Sequence, residues 1–512
     1  MARRSQVIWT FAITSVALFM VTLDNLVVTT ALPVIRHDLN ANLQQLEWTI
    51  NAYTLTFAVL LLTGAALGDR FGRRRIFSIG LALFTLGSAA SALAQNPTML
   101  IVARAVQGAG AAMVTPLTLT ILSAAVPANR RGVALGAWGG IGGLAVAVGP
   151  IVGGAIVQGI SWHWIFWVNV PIGLLLAPLA RIRLTETRGA DSHLDLGGLV
   201  IASAGLFAIV WGLVRANQQG WTSPEILGTL AVGVALMVVF VLYELRSRTP
   251  MLPIRYFKNR TFSGANAASL FMFFGMFGSV FLLAQFFQTV QGLSPLNAGL
   301  RILPWTAMPI LVAPTAGALS DRINGRTLMA IGLALQATGL IWIGLVVTPT
   351  VPYSAFIVPF ILSGVGMGMF FAPVANVVLS SVSSREEGKA SGANNAIREL
   401  GGVLGVTVLA SIFAHWGGYI SGATFVAGLK PAVIVGGIVV VVGALAAASI
   451  PARKRVAAPE TATQVESSVA ASASRPGSRR LGFRGAASRE RSTTAIPVAG
   501  STRSGGRSGR IV

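Results

Sequence analysis

The sequence predicts an all-α polytopic membrane protein of about fourteen transmembrane helices, built from two related halves. Three observations carry this. First, 54% of the 512 residues are hydrophobic and the mean hydropathy is positive. That is too apolar for a soluble chain of this length. Second, the apolar residues fall into runs of about 20, the length that crosses a bilayer. Third, a charged turn occurs twice. Gly64 to Arg75 reads GAALGDRFGRRR, and Gly317 to Arg326 reads GALSDRINGR. Both close an apolar run with Ala-Leu-small-Asp-Arg and continue to a glycine and an arginine. Duplicated halves in a membrane protein point to a transporter with its substrate site between the repeats.

In chain order, residues 1–6 form a short basic N-terminus, and the first span is 7–34. It is too long for a signal peptide and lacks a small-residue cleavage site. Further spans fall at 51–67, 76–94, 99–125, 133–157 and 165–180. After a polar connector come 196–214 and 226–242, then 262–290, 302–319, 328–347, 356–382, 397–413 and 431–450. With the N-terminus in the cytoplasm, the inside loops carry eighteen Arg or Lys and the outside loops only Arg36, Arg215, Arg301 and Lys430. This obeys the positive-inside rule and predicts a multi-pass protein with both termini cytoplasmic. Trp162, Trp164 and Trp167 cluster at an expected outer boundary, where amphipathic rings sit.

Residues 451–512 differ in kind. They are rich in Ala, Ser, Gly and Arg, with twelve Arg or Lys against three acids. The segment reads as a disordered basic cytoplasmic tail attracted to anionic inner-leaflet lipid rather than to nucleic acid.

Composition also narrows the chemistry. Without cysteine there are no disulfides, thiolate nucleophiles or cysteine metal sites. His37, His163, His193 and His415 form no metal-binding pattern, and no GxxxxGK[ST] string is present. No nucleophile–base pair is visible. The expectation is a transporter rather than an enzyme, with no metal or cofactor and the proton as coupling ion.

Charges inside the spans are the candidate machinery. Asp24 lies deep in the first span, beside Asn25. An ionised carboxylate there is costly unless paired or wetted, so intramembrane acids mark function. An acid that alternates between dry and wet surroundings binds and releases a proton. A purely structural acid, bonded to a neighbouring helix, fits the same position. Arg104 lies early in the fourth span with Gln107 one turn on, sharing its face. It either pairs with Asp24 or snorkels to the interface. Arg398 and Glu399 stand at the start of the expected thirteenth span, about 100° apart on the helix. They are either cavity groups or a structural pair at the membrane edge. In the fifth span, Gly149, Pro150, Gly153 and Gly154 combine small-xxx-small spacing with a kink. Tight packing and gating both fit.

Together these residues resemble the major facilitator superfamily, and within it the fourteen-span drug:proton antiporter branch. GAALGDRFGRRR is similar to that superfamily's loop between helices 2 and 3, although Ala65 stands where glycine is usual. Leu23-Asp24 through Leu32-Pro33 resembles the branch's first-helix signature, and Arg104 to Gly110 its helix-4 motif. Gly149-Pro150-Ile151-Val152-Gly153-Gly154 looks like the helix-5 antiporter motif, with Ala145 at its first glycine. Trp164 to Gly173 is also similar to the branch, with His163 where arginine is commoner.

The resemblance implies two six-helix bundles, 7–184 and 262–450, joined by a linker, 185–261, that carries two extra helices. It implies a monomer in the bacterial inner membrane exporting lipophilic drugs or antibiotics by alternating access, driven by proton entry. Asp24, Arg104 and Glu399 would couple the proton. Asp69, Arg70, Gly72 and Arg73, with Asp321 and Arg322, would form the gating loops. Export of a lipid, glycolipid or endogenous metabolite fits the same fold. A membrane sensor or scaffold that transports nothing is the rival from another class.

Overall fold

A computed structural model describes residues 2–127, 131–188, 195–320, 323–382 and 386–451. The first six helices are α1 (Ala2–Asp38), α2 (Leu43–Phe71), α3 (Arg73–Ala92), α4 (Pro97–Ala125), α5 (Arg131–Gly159) and α6 (Trp164–Arg183). Then come α7 (Leu196–Gln219) and α8 (Pro224–Arg246). The last six are α9 (Arg260–Val290), α10 (Pro295–Thr306 and Met308–Ser320), α11 (Gly325–Val346), α12 (Ser354–Leu379), α13 (Glu387–Trp416) and α14 (Gly422–Ala448). Thirteen of these are long and apolar enough to cross a membrane, and α5 completes the fourteen. The protein is an all-helical, many-span membrane protein.

The helices run beyond the apolar windows because their ends are capped by side chains. Asn42 and Gln45 form a capping box at α2. Asn96, Ser223, Ser294 and Ser421 accept from the first turns of α4, α8, α10 and α14. Each cap satisfies donors that the apolar interior could not. The thirteenth span also starts earlier than expected, here without a side-chain cap. It was expected to open at residue 397, yet α13 begins at Glu387, so Arg398 and Glu399 lie about three turns inside the helix rather than at its edge.

Helices α1 to α6 pack on one another, as do α9 to α14. The second group is held by an aromatic core, with Phe286 and Phe287 of α9 against Phe356 of α12. Helix α7 lies against α2 and α13, with Trp48 of α2 meeting Phe207 and Trp211. The groups meet along two seams. At one, α2 lies antiparallel to α13: Asn51 donates to Thr407 Oγ1 at 2.8 Å, and Leu62 covers Gly392. At the other, α5 packs closely on the first segment of α10 but only slightly on the second. The groups therefore meet closely at the end opposite the Asp69 turn, and among the described residues α5 and α10 meet less toward it.

Candidate functional site

The site is built on α1, where Asp24 is 2% exposed, and completed by α4 and α6. Arg104 and Gln107 are one turn apart on α4, so they project together. Small residues let α2 and α3 approach α4 closely around this pair. A Cβ on Gly108 would strike the Tyr53 carbonyl of α2, and one on Gly87 the Gln107 backbone.

Three donors converge on the Asp24 carboxylate. Arg104 Nη1 lies 2.5 Å from Oδ2, while Gln107 Nε2 and Asn169 Nδ2 each lie 2.8 Å from Oδ1. Ser88 of α3 accepts from both amides, at 3.2 and 3.1 Å, and donates to the Phe166 carbonyl at 2.9 Å. Arg104 also donates from Nε to the Thr49 carbonyl at 3.3 Å and from Nη1 to Gln107 Oε1 at 2.7 Å. Its guanidinium lies 4.2 Å from the centre of the Tyr53 ring, and its Nη2 has no partner. The side chains of Asp24 and Arg104 are inaccessible to solvent. The geometry thus answers the choice at Arg104: it pairs with Asp24 and does not snorkel.

Such an arrangement can hold a carboxylate ionised in a dry interior, since a guanidinium and two amides replace its water. It can also exchange the guanidinium for a proton. Asn25 is buried beside the site, and its Oδ1 makes no hydrogen bond.

Arg398 and Glu399 lie on α13, apart from this cluster. Arg398 stacks over Phe273 at 4.4 Å and donates to Asn395 Oδ1 at 3.0 Å. Glu399 Oε2 is buried without a partner.

At the charged turn, Asp69 accepts from Arg73 Nε at 2.8 Å, within its own loop. Arg70 lies over Phe71. Gly72 joins α2 to α3 at φ +107°, a conformation that side chains disfavour. Glu186, which follows α6, accepts from the backbone N–H groups of Arg74 and Arg75 at 3.0 and 3.3 Å. It therefore supplies the cap that Gly72 cannot. Asp321 and Arg322, like the tail from residue 452 onward, lie outside the described residues.

The helix-5 motif sits between α1 and α10. Gly149 and Gly153 face Leu26 and Val27 of α1, while Gly154 faces Pro295 and Leu296 and the Pro150 carbonyl faces Gly299. The motif thus forms the junction between the two groups of helices as well as packing within one.

Sequence reasoning singled out Asp24, Arg104 and Gln107, and the structure brings them together. It missed Asn169, Ser88, Tyr53 and Glu186. Uncharged polar residues within apolar runs give little signal by themselves. Asn169 stood inside the Trp164–Gly173 string, where its position between apolar neighbours was the available clue.

The Major Facilitator Superfamily model matches residues 14–406 and, again, 267–487. The chain is 33% identical over 402 residues to the tetracenomycin C resistance and export protein of Streptomyces glaucescens, covering 78% of this chain and 74% of that protein. It is 35% identical over 412 residues to the multidrug resistance protein Stp of Mycobacterium tuberculosis, covering 80% and 76%. Among solved structures, a bacterial homolog of the human lysosomal transporter Spinster superposes with a TM-score of 0.63 at 15% identity, covering 87% of this chain and 98% of that one. A POT family transporter superposes with a TM-score of 0.64 at 16% identity, covering 85% and 94%. These two share the fold. With the family match running through both helical groups and relatives aligned along most of its length, this chain belongs to the Major Facilitator Superfamily.

Proposed function

We propose that this protein is a proton-coupled efflux transporter that exports lipophilic drugs or antibiotics across the bacterial inner membrane. The observation that carries the reading is the Asp24 carboxylate, buried and held by Arg104, Gln107 and Asn169. Similarity to proteins named for antibiotic resistance and export supports the direction and substrate class. The arginine-bearing loops assign the Asp69 end to the cytoplasm. The conformation described here is then closed outside.

In the outward-facing stage Asp24 takes a proton from the exterior and lets go of Arg104. In the inward-facing stage Arg104 re-forms the ion pair and displaces the proton to the cytoplasm. The ion pair favours one arrangement and the neutral acid the other, so proton binding biases the two-state equilibrium. Substrate binds between the two helical groups and moves outward as the proton moves inward. Glu399, whose Oε2 is buried without a partner, is a second group for the same task or for a cationic substrate.

The test is dissipation of a proton gradient in energised inverted vesicles when substrate is added. A panel of growth-inhibition assays in a pump-deficient host would supply the substrate. Dissipation in wild type and its loss in Asp24→Asn are expected. An Asp24→Asn protein that dissipates the gradient like wild type would move the coupling proton elsewhere.

A further inference from the structure

Glu47 stands one turn inside α2, at the end opposite the Asp69 turn, and is 3% exposed. Its Oε2 has no hydrogen-bond partner. No salt bridge to it is formed among the described residues. It leads the face of α2 that meets α13: Asn51, one turn on, bonds to Thr407, and Leu62 covers Gly392. We propose that Glu47 is a second proton-binding site, and that its protonation closes the transporter at its outer end. The proposal rests on the alternating-access reading, but not on Asp24 being the coupling group.

The surroundings make closure and charge incompatible. A cation at this end, Arg36 of α1, is engaged elsewhere: its guanidinium lies 3.5 Å from the ring centre of Tyr419, in the loop after α13. Tyr419 Oη in turn donates to Gln285 Oε1 at 2.5 Å, and Gln288 Nε2 donates to the Thr30 carbonyl at 2.9 Å. These contacts clasp the two helical groups shut above Glu47. Burial pushes the Tyr419 hydroxyl far up, with Arg36 opposing.

Of the other charges on helices packed against α2, Glu399 of α13 is itself an acid and Lys389 lies in the first turn of α13, toward the Asp69 end. Asp24 and Arg104 hold each other, Arg215 of α7 pairs with Glu225 at 3.5 Å, and Arg398 lies over Phe273. His37 and His415 are exposed, and the arginines of α3 are at its other end. A carboxylate buried without a cation is stable only when protonated. Opening the seam would let water reach Glu47 and ionise it. Closing it again would require a proton, and external acid would supply one.

The absence of cysteine makes the test clean. Spin labels on His37→Cys and Ile420→Cys place one reporter on each side of the clasp. Those side chains are 92% and 94% exposed. Distances are measured by pulsed electron resonance on the full chain in lipid nanodiscs, from about pH 8 to about pH 5. In wild type the ratio of short to long distance rises on acidification, by up to ~10-fold per pH unit, the one-proton limit. Glu47→Gln is expected to show the short distance throughout. In an Asp24→Asn background the pH response persists. Tyr419→Leu, which weakens the clasp without touching the acid, moves the midpoint to lower pH. A Glu47→Gln protein that titrates like wild type would overturn the proposal. So would a response lost in Asp24→Asn, or a midpoint unmoved in Tyr419→Leu. An Asp24→Asn protein that keeps proton-coupled export with the distance response intact would instead count against the reading of Asp24.

Discussion

Arg104 Nη1 and Asp24 Oδ2 stand 2.5 Å apart with both side chains sealed from solvent, and Arg104 leaves Nη2 without a partner. The pair is thus tight on one nitrogen and unsatisfied on another. A guanidinium held this way can be released without losing a complete shell of bonds. Removing it outright is a different matter. Arg104→Ala leaves a buried carboxylate uncompensated, which costs about 3–5 kcal/mol. The variant is expected to unfold at lower temperature in detergent than wild type. The double variant Asp24→Asn with Arg104→Ala is expected to recover part of that loss and none of the transport. Thermal unfolding of the three variants checks both statements.

Asp24→Asn keeps the shape and removes the charge. It is expected to insert normally and to lose proton-driven export, while retaining downhill exchange of substrate. Asn169→Ala removes one donor to the carboxylate, worth about 1.5–3 kcal/mol for a bond to a charged group. It is expected to slow turnover on the order of 10-fold or more, with little change in substrate affinity. Export rates and binding measured on the same preparations separate the two effects.

The sequence made Asp24, Arg104 and Gln107 legible because charged groups and their neighbours are conspicuous in an apolar run. It could not show that Ser88 and Asn169 join them, since both are ordinary polar residues whose partners are distant in the chain. Glu47 was missed for another reason. Hydropathy placed the second span at 51–67, whereas the Asn42 capping box starts α2 at Leu43 and carries Glu47 into the buried seam. The same effect hid the depth of Arg398 and Glu399, because the polar stretch before them continues α13 without lowering its helicity. Span order and the charged turn were readable from composition. Helix ends were not, because caps and packing set them.

The charged turn offers a third prediction. Asp69 is bonded within its own loop, and Glu186 fixes the start of α3 from the far end of α6. Asp69→Asn and Glu186→Gln both weaken charge-assisted bonds without removing bulk. Each is expected to yield folded, inserted protein with slower turnover. Glu186→Gln is expected to expose the α6 end to limited proteolysis near Arg188, an effect absent from Asp69→Asn. Wild-type export rates in both variants would remove the turn from the gating cycle.

The proposed orientation rests on the arginine loops. Reporter fusions after Asn96 and after Gly220 are expected to read outside, and one after Arg188 inside. An inside signal after Asn96 would invert every later loop, and with it the assignment of the closed end.

The sharpest mechanical prediction concerns Gly154. It sits where α5 crosses the start of α10, and a Cβ there would meet the backbone of Pro295 and Leu296. Backbone cannot rotate aside as a side chain can, so a larger residue must push the two helices apart. The neighbouring Gly153 faces Val27 and Thr30 of α1 instead, within one group of helices. Gly154→Val is therefore expected to prevent closure of this end while leaving each group packed. Export should fall by about 100-fold, the scale at which misplacement by roughly 1 Å is felt. The His37→Cys and Ile420→Cys label pair should report the long distance at every pH. Gly153→Ala is expected to lower thermal stability more than it changes that distance. A Gly154→Val protein that still reaches the short distance would show that this crossing does not limit closure.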